Sequence, residues 1–494
     1  MKNKSIYLIL ISLLFTCMAC EKHLDINVDP NYPTTATPEL LLPSSIAWTA
    51  ARTGSDLQQV GSFWSQHYTQ HNSSNQYNTL AIYSVQNSSY TAIWSAAYAG
   101  ALTDLKRILV RSEQESKWNY YLIAKVLTAL NYHILVDLYE KVPFTEALAG
   151  AENMSPKYDD SKTVYAGIIT MLDEAVAKID EAKAVSTAIT SEDFIFYGNL
   201  DKWVSFAKTL KFKLLMRDFD VNKAQLTALI NEGKLLTDDA RMNGFVDIEN
   251  NSNPLFESDR RKLNSKNNMR GAATLINFLK VNNDPRVSIF FEPARDKDNP
   301  NDKFFYNGMP YGNISLTTGV FPSNYSSRAR LDPTDPVYFL SEAESYFLQA
   351  EYYARMNDAA NAKALYDKAV DAAFTRWGLT NAADFTKAGG VYEFDATNIE
   401  DMIRDIITQK WVASTRCQAW DAFFDINRTG YPKLGTKQVG EAGYVLGELV
   451  PAKDGVLSPG DFPRRLLIPK TSSDYNPNAP EIIPLTTKMW WHKQ

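Results

Sequence analysis

The stretch SEAESYFLQAEYYARMNDAANAKALYDKAV, residues 341–370, has the spacing of a 34-residue tetratricopeptide repeat when Tyr346 is taken as its position 4. Small residues then stand where two helices would touch, and aromatic residues stand where one helix pair would meet the next. The small residues are Ala350, Ala362 and Ala369, and the aromatic residues are Tyr353 and Tyr366. The spacing predicts a tetratricopeptide-like helical hairpin, with an ordinary amphipathic hairpin as the alternative.

Weaker copies of this spacing occur elsewhere in the chain. Trp203, Ala207 and Leu210 repeat the pattern of the first helix, and Ile168, Leu172 and Ala175 repeat that of the second helix. A further helical pair is predicted across residues 406–424, where Trp411 and Trp420 are interpreted as packing residues. The fold class predicted is therefore mainly α, with at least three and up to four stacked helical hairpins.

Two long segments differ from the predicted hairpins in composition. Residues 245–335 and 430–484 are rich in Asn, Asp, Gly, Pro and Ser and show no sustained helical period. Both also carry Phe, Tyr and Leu, so we expect ordered irregular structure packed on the helices rather than linkers. Long ordered loops on a rigid scaffold are where binding sites usually lie.

The N-terminus has the pattern of an export signal. Two lysines precede an apolar run at residues 6–15, a length typical of a secretory signal and too short to span a membrane. Ala19 and Cys20 follow, and this pair resembles a lipobox, although Cys17 stands where such boxes usually carry Leu. We expect residues 1–19 to be a lipoprotein signal peptide, Cys20 to be the lipidated first residue, and residues 20–494 to form a single domain.

Composition narrows the classes of function. Removal of residues 1–19 deletes two lysines and no acids, so the mature chain has 49 basic and 57 acidic residues and a formal charge of −8. An acidic surface argues against nucleic acid as a partner and against electrostatic docking on anionic lipid. Cys417 would be the single thiol of the mature chain, in an apolar helical pattern that favours a buried, unreactive side chain.

The sequence contains no recognisable catalytic constellation. Dinucleotide-binding, P-loop, nucleophile-elbow and HExxH motifs are all absent from the sequence. His67 and His71 have the i, i+4 spacing that could place two imidazoles on one helix face, but a zinc site would need a third ligand. We therefore predict no enzyme activity and no metal site there. A helical glycosidase stays open as an alternative, because carboxylate pairs occur by chance.

Six motifs in register, together with residues 20–31, resemble the SusD/RagB-like nutrient-binding outer-membrane lipoproteins, in a variant branch. The motifs are VDLYEKVPFTEAL at 136–148, PKYDDSKTVY at 156–165, NDPR at 283–286, QKWVA at 409–413, RTGYP at 428–432 and FPRRLLIP at 462–469. The resemblance covers essentially the whole mature chain. It implies a surface-exposed lipoprotein with four tetratricopeptide-like units, seated on a TonB-dependent outer-membrane transporter of the SusC type and capturing oligosaccharides or peptides. No cofactor is implied, and a structural Ca²⁺ stays open.

A sugar site calls for aromatic side chains flanked by amides and charged groups, because sugars present flat C–H faces and hydroxyl rims. Two stretches have this mixture, residues 62–78 and residues 304–328. The candidate ligand-binding residues are Trp64, Tyr68, Tyr77, Tyr311, Phe321 and Tyr325. We expect the two stretches to meet on the face away from the repeats. A scaffold that binds only proteins is the remaining alternative.

Overall fold

The computed structural model describes residues 36–263, 268–295 and 305–493, so the predicted signal peptide and Cys20 lie outside the described residues. Helices dominate this part of the chain. They are α1 Pro38–Gly54, α2 Asp56–Trp64, α3 Asn78–Ala81, α4 Thr91–Ser95, α5 Thr103–Gln114, α6 Trp118–Tyr139, α7 Ser161–Ala177, α8 Ile179–Lys183, α9 Leu200–Leu215, α10 Phe219–Glu232, α11 Pro254–Phe256, α12 Ala273–Val281, α13 Arg286–Phe290, α14 Glu342–Arg355, α15 Ala359–Thr375, α16 Ala382–Thr386, α17 Ile399–Ala413, α18 Ala419–Thr429 and α19 Lys470–Tyr475. The mainly α prediction is confirmed.

Short strands and single helical turns occur between the longer helices. The strands are β1 Tyr68–Gln70, β2 Ala240–Met242, β3 Met269–Gly271, β4 Phe291–Glu292, β5 Arg328–Ala329 and β6 Val337–Leu340. π-Helical turns span Ala96–Leu102 and Glu257–Arg261, and 3-10 turns span Gly150–Glu152 and Met216–Asp218. The strands form an antiparallel sheet in the order β1-β3-β5-β4 and a separate pair, β2-β6.

The hairpin predicted from residues 341–370 is formed by α14 and α15. Ser341 caps the N-terminus of α14, because its hydroxyl accepts a hydrogen bond from the backbone N–H of Glu344 at 3.2 Å. Asp358 caps the N-terminus of α15 in the same way, because its carboxylate accepts from the backbone N–H of Asn361 at 3.1 Å. Three residues join the helices, so they run antiparallel. Ala350, Ala362 and Ala369 are fully buried, as close helix contact requires. The tetratricopeptide-like hairpin is therefore confirmed.

The weaker copies also lie on packed helices. Ile168, Leu172 and Ala175 are buried on α7, and Trp203, Ala207 and Leu210 are buried on α9. Helix α7 packs against α6 and α9, α9 contacts α14, and α14 packs against α15 and α17. Trp411 on α17 and Trp420 on α18 are each 1% exposed, so their interpretation as packing residues is confirmed.

A buried set of charged side chains connects four of these helices. Lys410 of α17 lies 3.1 Å from Glu344 of α14 and 2.8 Å from Asp425 of α18, and Lys213 of α9 lies 2.9 Å from the same Glu344 oxygen. Burial alone would raise the pKa of Glu344, but Lys213 and Lys410 lower it to about 2. The stack is therefore held by ion pairs as well as by apolar packing.

A second pair extends this set along α14. Both guanidinium nitrogens of Arg428 donate to Glu351, at 2.5 and 2.6 Å, in a bidentate geometry. Burial opposes ionisation of Glu351, yet Arg428 and Arg355 hold its pKa at about 2. We call Lys213, Glu344, Glu351, Lys410, Asp425 and Arg428 the ionic core.

Of the described residues, α6 is long and apolar enough to cross a membrane, with a mean hydropathy of 1.3 over an 18-residue window. In this structure 89% of that window is buried. Helices α5 and α7 pack against it, so α6 is a core helix of the stack.

The irregular character predicted for residues 245–335 and 430–484 is largely confirmed. The first segment does contain the nine-residue helix α12 and strands β3 to β5, which Gly- and Asn-rich composition did not indicate. Residues 431–469 contain no helix or strand, and Val450, Phe462 and Leu466 from this segment are buried in the hydrophobic core. The described parts of both segments are therefore ordered and consist mainly of loops with short helices and strands.

Candidate functional site

The two sequence stretches proposed to carry the site lie side by side. Asn72, in the loop after β1, donates from Nδ2 to the carbonyl of Phe321 at 2.7 Å. Its neighbour His71 bonds through Nε2 to the carbonyl of Ser323 at 2.9 Å. The prediction that the stretches meet is confirmed. We call the surface formed by Asn72, Asn307, Phe321 and Tyr325 the loop platform.

The prediction that both stretches lie on the face away from the repeats is wrong for the beginning of the first stretch. Helix α2 leads into β1 and packs on α18, and the ring centroid of Trp64 lies 5.0 Å from that of Phe423. Gly61 of α2 meets the backbone of Trp420 so closely that an added Cβ would clash. The first stretch therefore begins inside the helical stack and reaches the surface after β1.

Four of the six predicted ligand-binding aromatics are in the core. Trp64, Tyr68 and Tyr311 have no exposed surface, and Tyr77 is 3% exposed. The hydroxyl of Tyr77 donates to Asp259 at 2.9 Å, and burial raises the pKa of Tyr77 above its ordinary value. A ring without exposed surface cannot stack on a sugar, so the proposal that these four side chains contact ligand is corrected to core packing.

Phe321 and Tyr325, in contrast, are partly exposed. Their ring centroids lie 5.2 Å apart with the planes at 76°, and the ring of Phe305 lies 5.5 Å from that of Tyr325. Such edge-to-face contacts fix the ring orientations. The platform thus presents a small, oriented aromatic group at the surface.

Side chains from other segments satisfy the backbone carbonyls of the platform loop. Arg270 of β3 donates to the carbonyls of Ser323 and Ser326, each at 3.1 Å. Asn307 Nδ2 donates to the carbonyl of Tyr325 at 2.8 Å. Carbonyl groups without a hydrogen-bond partner are costly to bury. In this loop the side-chain donors take the place of the backbone hydrogen bonds that a paired strand would supply. The loop is therefore preorganised although it contains no regular structure.

His71 belongs to this set of clamps. Burial, with a smaller effect of the nearby Arg270 guanidinium, lowers its pKa to about 4, so the imidazole is neutral at pH 7. The Nε2 bond to the Ser323 carbonyl then requires the proton on Nε2. Nδ1 accepts from the hydroxyl of Ser73 at 2.6 Å. Both ring nitrogens are thus used in holding the loop.

His67 and His71 do not share a helix face, although their spacing would have allowed it, because they flank strand β1. Nε2 of His67 lies 3.0 Å from the carbonyl of Trp411, and burial lowers the pKa of His67 to about 3. Within residues 36–263, 268–295 and 305–493, no group of three or more His, Cys, Asp or Glu side chains is arranged to hold a metal ion.

Amide side chains border the platform. Asn75 and Gln76 are exposed, and Asn72 and Asn78 are partly exposed. The side-chain oxygens of Asn72 and Asn78 face inward and accept no hydrogen bond from the described residues. The exposed amides of Asn75 and Gln76, beside the partly exposed rings, are the polar complement that a hydroxyl-rich ligand requires.

Another cleft lies between α15, α17 and the loop after Pro432, with a volume of about 380 Å³. Phe278, Tyr366, Tyr392 and Tyr431 line it, each no more than 7% exposed. The Tyr392 hydroxyl donates to Asp284 at 2.7 Å, and the Tyr366 hydroxyl donates to the Tyr392 carbonyl at 2.9 Å. The hydroxyls of Tyr366 and Tyr392 already donate hydrogen bonds within the protein, which distinguishes this cleft from the platform.

Cys417 is buried, as the sequence indicated. Burial raises the pKa of its thiol to about 12, and Arg376 Nη1 lies 3.2 Å from the sulfur. The thiolate is the reactive form, so this side chain is unreactive at neutral pH.

Sequence reasoning missed the clamps of the platform loop. Arg270 stands in NNMRGAA, where nothing at short range marks it, and Asn307 was one of many amides in its stretch. Their roles depend on strand pairing between β3 and β5, which places Arg270 beside the loop that precedes Arg328.

Solved structures similar to this chain share its fold. A SusD homolog from Bacteroides uniformis matches with a TM-score of 0.71 at 23% identity, covering 92% of this chain and 99% of that one. A chitin-binding SusD homolog from Flavobacterium johnsoniae matches with a TM-score of 0.72 at 21% identity, covering 91% and 98%. A SusD homolog from Bacteroides vulgatus matches with a TM-score of 0.71 at 19% identity, covering 91% and 97%.

The sequence itself matches a family model. A comparison with curated proteins gave no significant match. The model for SusD-like proteins, described as starch-binding and associating with the outer membrane, matches residues 30–446. Because this match covers most of the sequence, the chain belongs to the SusD-like family.

Proposed function

We propose that the protein captures an oligosaccharide on the loop platform and passes it, chemically unchanged, to a TonB-dependent outer-membrane transporter of the SusC type. The observation that carries this proposal is the meeting of two distant stretches, which places the partly exposed rings of Phe321 and Tyr325 beside Asn72. Family membership supports a glycan as the ligand, and one structural relative is named chitin-binding.

The physical basis of capture is a preorganised surface. A flexible loop must be ordered when ligand binds, and that ordering reduces affinity. Here the carbonyls of residues 321, 323, 325 and 326 are already bonded to side chains. The rings therefore stand ready for the C–H faces of a sugar, and the amides at the border are suited to its hydroxyl groups.

Binding without chemistry is the simplest account of these residues. The sequence lacks the catalytic motifs named above, and the platform is built from rings, amides and carbonyls. Delivery to a transporter rests on the resemblance to the SusD/RagB-like proteins. The anchor rests on Ala19 and Cys20, and we propose lipidation of Cys20 at the outer membrane.

Titration calorimetry tests the ligand site. Purified mature chain would be titrated with the best ligand from a panel that contains starch and chitin oligosaccharides. Phe321→Ala or Tyr325→Ala is expected to weaken binding about tenfold to a hundredfold, since stacking on an aromatic ring is worth about 1 to 3 kcal/mol in base recognition. Tyr475→Ala is the matched control, because that ring is 84% exposed elsewhere.

Thermal melts on the same proteins separate site from core. Phe321→Ala should keep the melting temperature, whereas Trp64→Ala should lower it strongly, because loss of a core aromatic costs about 3 to 5 kcal/mol. Unchanged affinity in both platform variants would remove the platform as the binding site.

Membrane fractionation tests the anchor separately. Cys20→Ala is expected to release a folded protein from the membrane fraction, because two or more acyl chains are what make such attachment stable. Retention of Cys20→Ala in the membrane fraction at high salt would show that lipidation at this residue is wrong.

A further inference from the structure

Two sequence motifs that the loop platform does not use, RTGYP and FPRRLLIP, meet at a small cavity beside the end of α18. Arg464 of the second motif donates from Nη1 to Oδ1 of Asn427, the residue directly before the first motif, at 2.7 Å. Lys488 and Lys493, near the end of the described chain, also line the cavity. We call this space the basic cavity.

The charged side chains that line the basic cavity are all positive. Arg464, Lys488 and Lys493 supply the charge, Ile426 and Leu434 are apolar walls, and no carboxylate of a described residue is part of the lining. The mature chain has an excess of acidic over basic residues, so composition does not predict such a lining. Clefts lined by one sign of charge, with apolar walls, concentrate ions of the opposite sign.

Carboxylates near the basic cavity offset its charge only in part. Lys493 pairs with Glu400 at 3.2 Å. Arg464 and Lys488 form no ion pair with a described residue. Asp461 acts on Arg464 from beyond ion-pair distance, and burial still lowers the pKa of Arg464 below its ordinary value. Two positive charges of the lining are therefore without an ionic partner in the described chain.

These cations are not needed to cap α18, which ends beside the cavity. The backbone N–H of Gly430 donates to the carbonyl of Ile426 at 2.9 Å, and the backbone N–H of Lys493 donates to the carbonyl of Asn427 at 2.9 Å. Backbone groups thus satisfy these carbonyls of the last helical turn. The cationic ends of Arg464 and Lys488 are therefore available to a ligand.

We infer that the basic cavity binds a phosphate group, carried by a soluble compound or by a lipid headgroup. A phosphate monoester has a charge of about −1.5 to −2 at pH 7, which matches the two unpaired cations. The guanidinium of Arg464 is suited to two parallel hydrogen bonds with phosphate oxygens, and Lys488 adds a point charge.

The size of the basic cavity favours one ionic group over an oligosaccharide. Its volume is about 240 Å³. Clefts that hold drug-sized ligands have volumes of about 300 to 1,000 Å³. No residue of the loop platform lines the basic cavity, so this inference goes beyond the proposed function and does not depend on it.

Titration calorimetry with inorganic phosphate and with acetate, at pH 7 and equal ionic strength, tests the ligand class. The mature chain is expected to bind phosphate about tenfold more tightly than acetate, because acetate carries a single charge. Equal binding of the two anions, or no binding of phosphate, would overturn the inference.

Variants locate the phosphate. Lys488→Gln removes an exposed ammonium group that has no ion pair, so the protein should keep its melting temperature and lose about tenfold in phosphate affinity. Lys106→Gln is the matched control, because Lys106 is exposed on α5 and also forms no ion pair with a described residue. Equal phosphate affinities in these two variants would overturn the site.

Arg464→Gln separates the basic cavity from the loop platform. This variant is expected to lose phosphate binding and to keep its glycan affinity within about twofold, whereas Phe321→Ala should do the opposite. A thermal melt shows whether loss of the bond to Asn427 has unfolded Arg464→Gln, in which case Lys488→Gln decides. Loss of phosphate binding in Phe321→Ala alone would place the phosphate at the platform and overturn the inference.

Two further probes distinguish the sources of the phosphate. They are glucose 6-phosphate and vesicles that contain phosphatidic acid, both used with Cys20→Ala so that no lipid anchor contributes. Binding of glucose 6-phosphate that Lys488→Gln weakens would assign the cavity to a soluble compound. Sedimentation with the vesicles that Lys488→Gln abolishes would assign it to a lipid headgroup.

The carboxylate at the end of the sequence is the competing occupant. It belongs to Gln494, which follows Lys493 and lies outside the described residues. A glycine-serine extension after Gln494 should leave the phosphate affinity within about twofold. Clearly tighter phosphate binding by the extended chain would show that this carboxylate fills the basic cavity, and would overturn the inference.

Discussion

The ionic core and the loop platform bury polar groups in opposite ways. In the core, charged side chains from neighbouring helices bond to each other, as Arg428 does with Glu351. In the platform, side chains bond to backbone carbonyls, as Asn72 does with Phe321. Helices satisfy their own backbone, so their side chains are free to join one helix to the next. A loop has no internal ladder of backbone hydrogen bonds, so its carbonyls need donors from neighbouring segments of the chain.

This difference separates stability from function within one chain. Removing one member of the ionic core leaves a charge buried among helices, which affects the whole fold. Removing one clamp of the platform leaves a single carbonyl unpaired at the surface, which affects mainly the order of one loop. We therefore expect variants of the two regions to differ in the size of the effect and in the property that changes.

The largest effect is expected from Glu351→Ala. This change leaves Arg428 and Arg355 without their shared carboxylate on buried α14, and breaking such a pair costs about 3 to 5 kcal/mol. Urea unfolding would measure it. Asp384→Ala is the control, because its pair with Lys387 is exposed and should contribute little. Equal stability of the two variants would contradict the structural role of the ionic core.

A smaller loss is expected from Ala350→Phe. Ala350 is fully buried between α14 and its neighbours, so a larger side chain should overpack the hairpin and cost about 1 to 3 kcal/mol. Ala360→Phe is the control, since Ala360 is exposed on α15. A melting temperature that is the same in both variants would argue against close helix contact at residue 350.

Acid should lower the stability of the whole fold through two buried histidines that belong to neither region. Burial lowers the pKa of His67, which directly precedes β1, to about 3, and that of His133, in α6, to about 4. The unfolded chain takes up protons near pH 6.5, whereas the folded chain does not, so stability falls as the pH decreases from about 6.5 toward 4. Each histidine accounts for up to about 2 kcal/mol at pH 5.

Urea unfolding between pH 7 and pH 5 checks this expectation. His67→Gln and His133→Gln should each reduce the loss of stability on acidification, because glutamine does not titrate in this range. If neither variant changes the dependence of stability on pH, His67 and His133 are not the groups responsible.

The smallest change in stability is expected from Asn72→Ala. Loss of one hydrogen bond to the Phe321 carbonyl should cost about 1 kcal/mol, yet ligand affinity should fall severalfold because the ring is no longer held in place. Gln114→Ala is the control, since Gln114 is an exposed amide at the end of α5, outside the platform loops. A variant that loses stability but retains affinity would show that the clamp does not preorganise the platform.

The helical stack could be predicted because its signal is local. Within residues 341–370, the alternation of Ala350 and Ala362 with Tyr366 encodes which helix faces touch, and the structure places all three in the core. Caps such as Ser341 and Asp358 are also short-range features. Weaker copies of the same spacing are buried on α7 and α9.

The site could be predicted only in part, because the burial of its aromatic side chains depends on contacts with residues that are distant in the sequence. Tyr68 is opposite Gly271 in the sheet, and the ring centroid of Tyr311 lies 6.1 Å from that of Tyr83. An aromatic residue flanked by amides has the same local sequence whether its side chain is buried in the core or exposed at the surface. The stretches were therefore found, whereas the separation of Phe321 and Tyr325 from the buried rings required the structure.

Amide hydrogen exchange with and without a saturating glycan tests the central claim most directly. The claim is that ligand binds the loops while the helical stack serves as scaffold. We expect added protection in residues 71–78 and 305–327 and none in α14, α15 or α17. Protection of residues 391–409 and 431–448, which line the cleft between α15 and α17, with none in the platform loops, would contradict the claim.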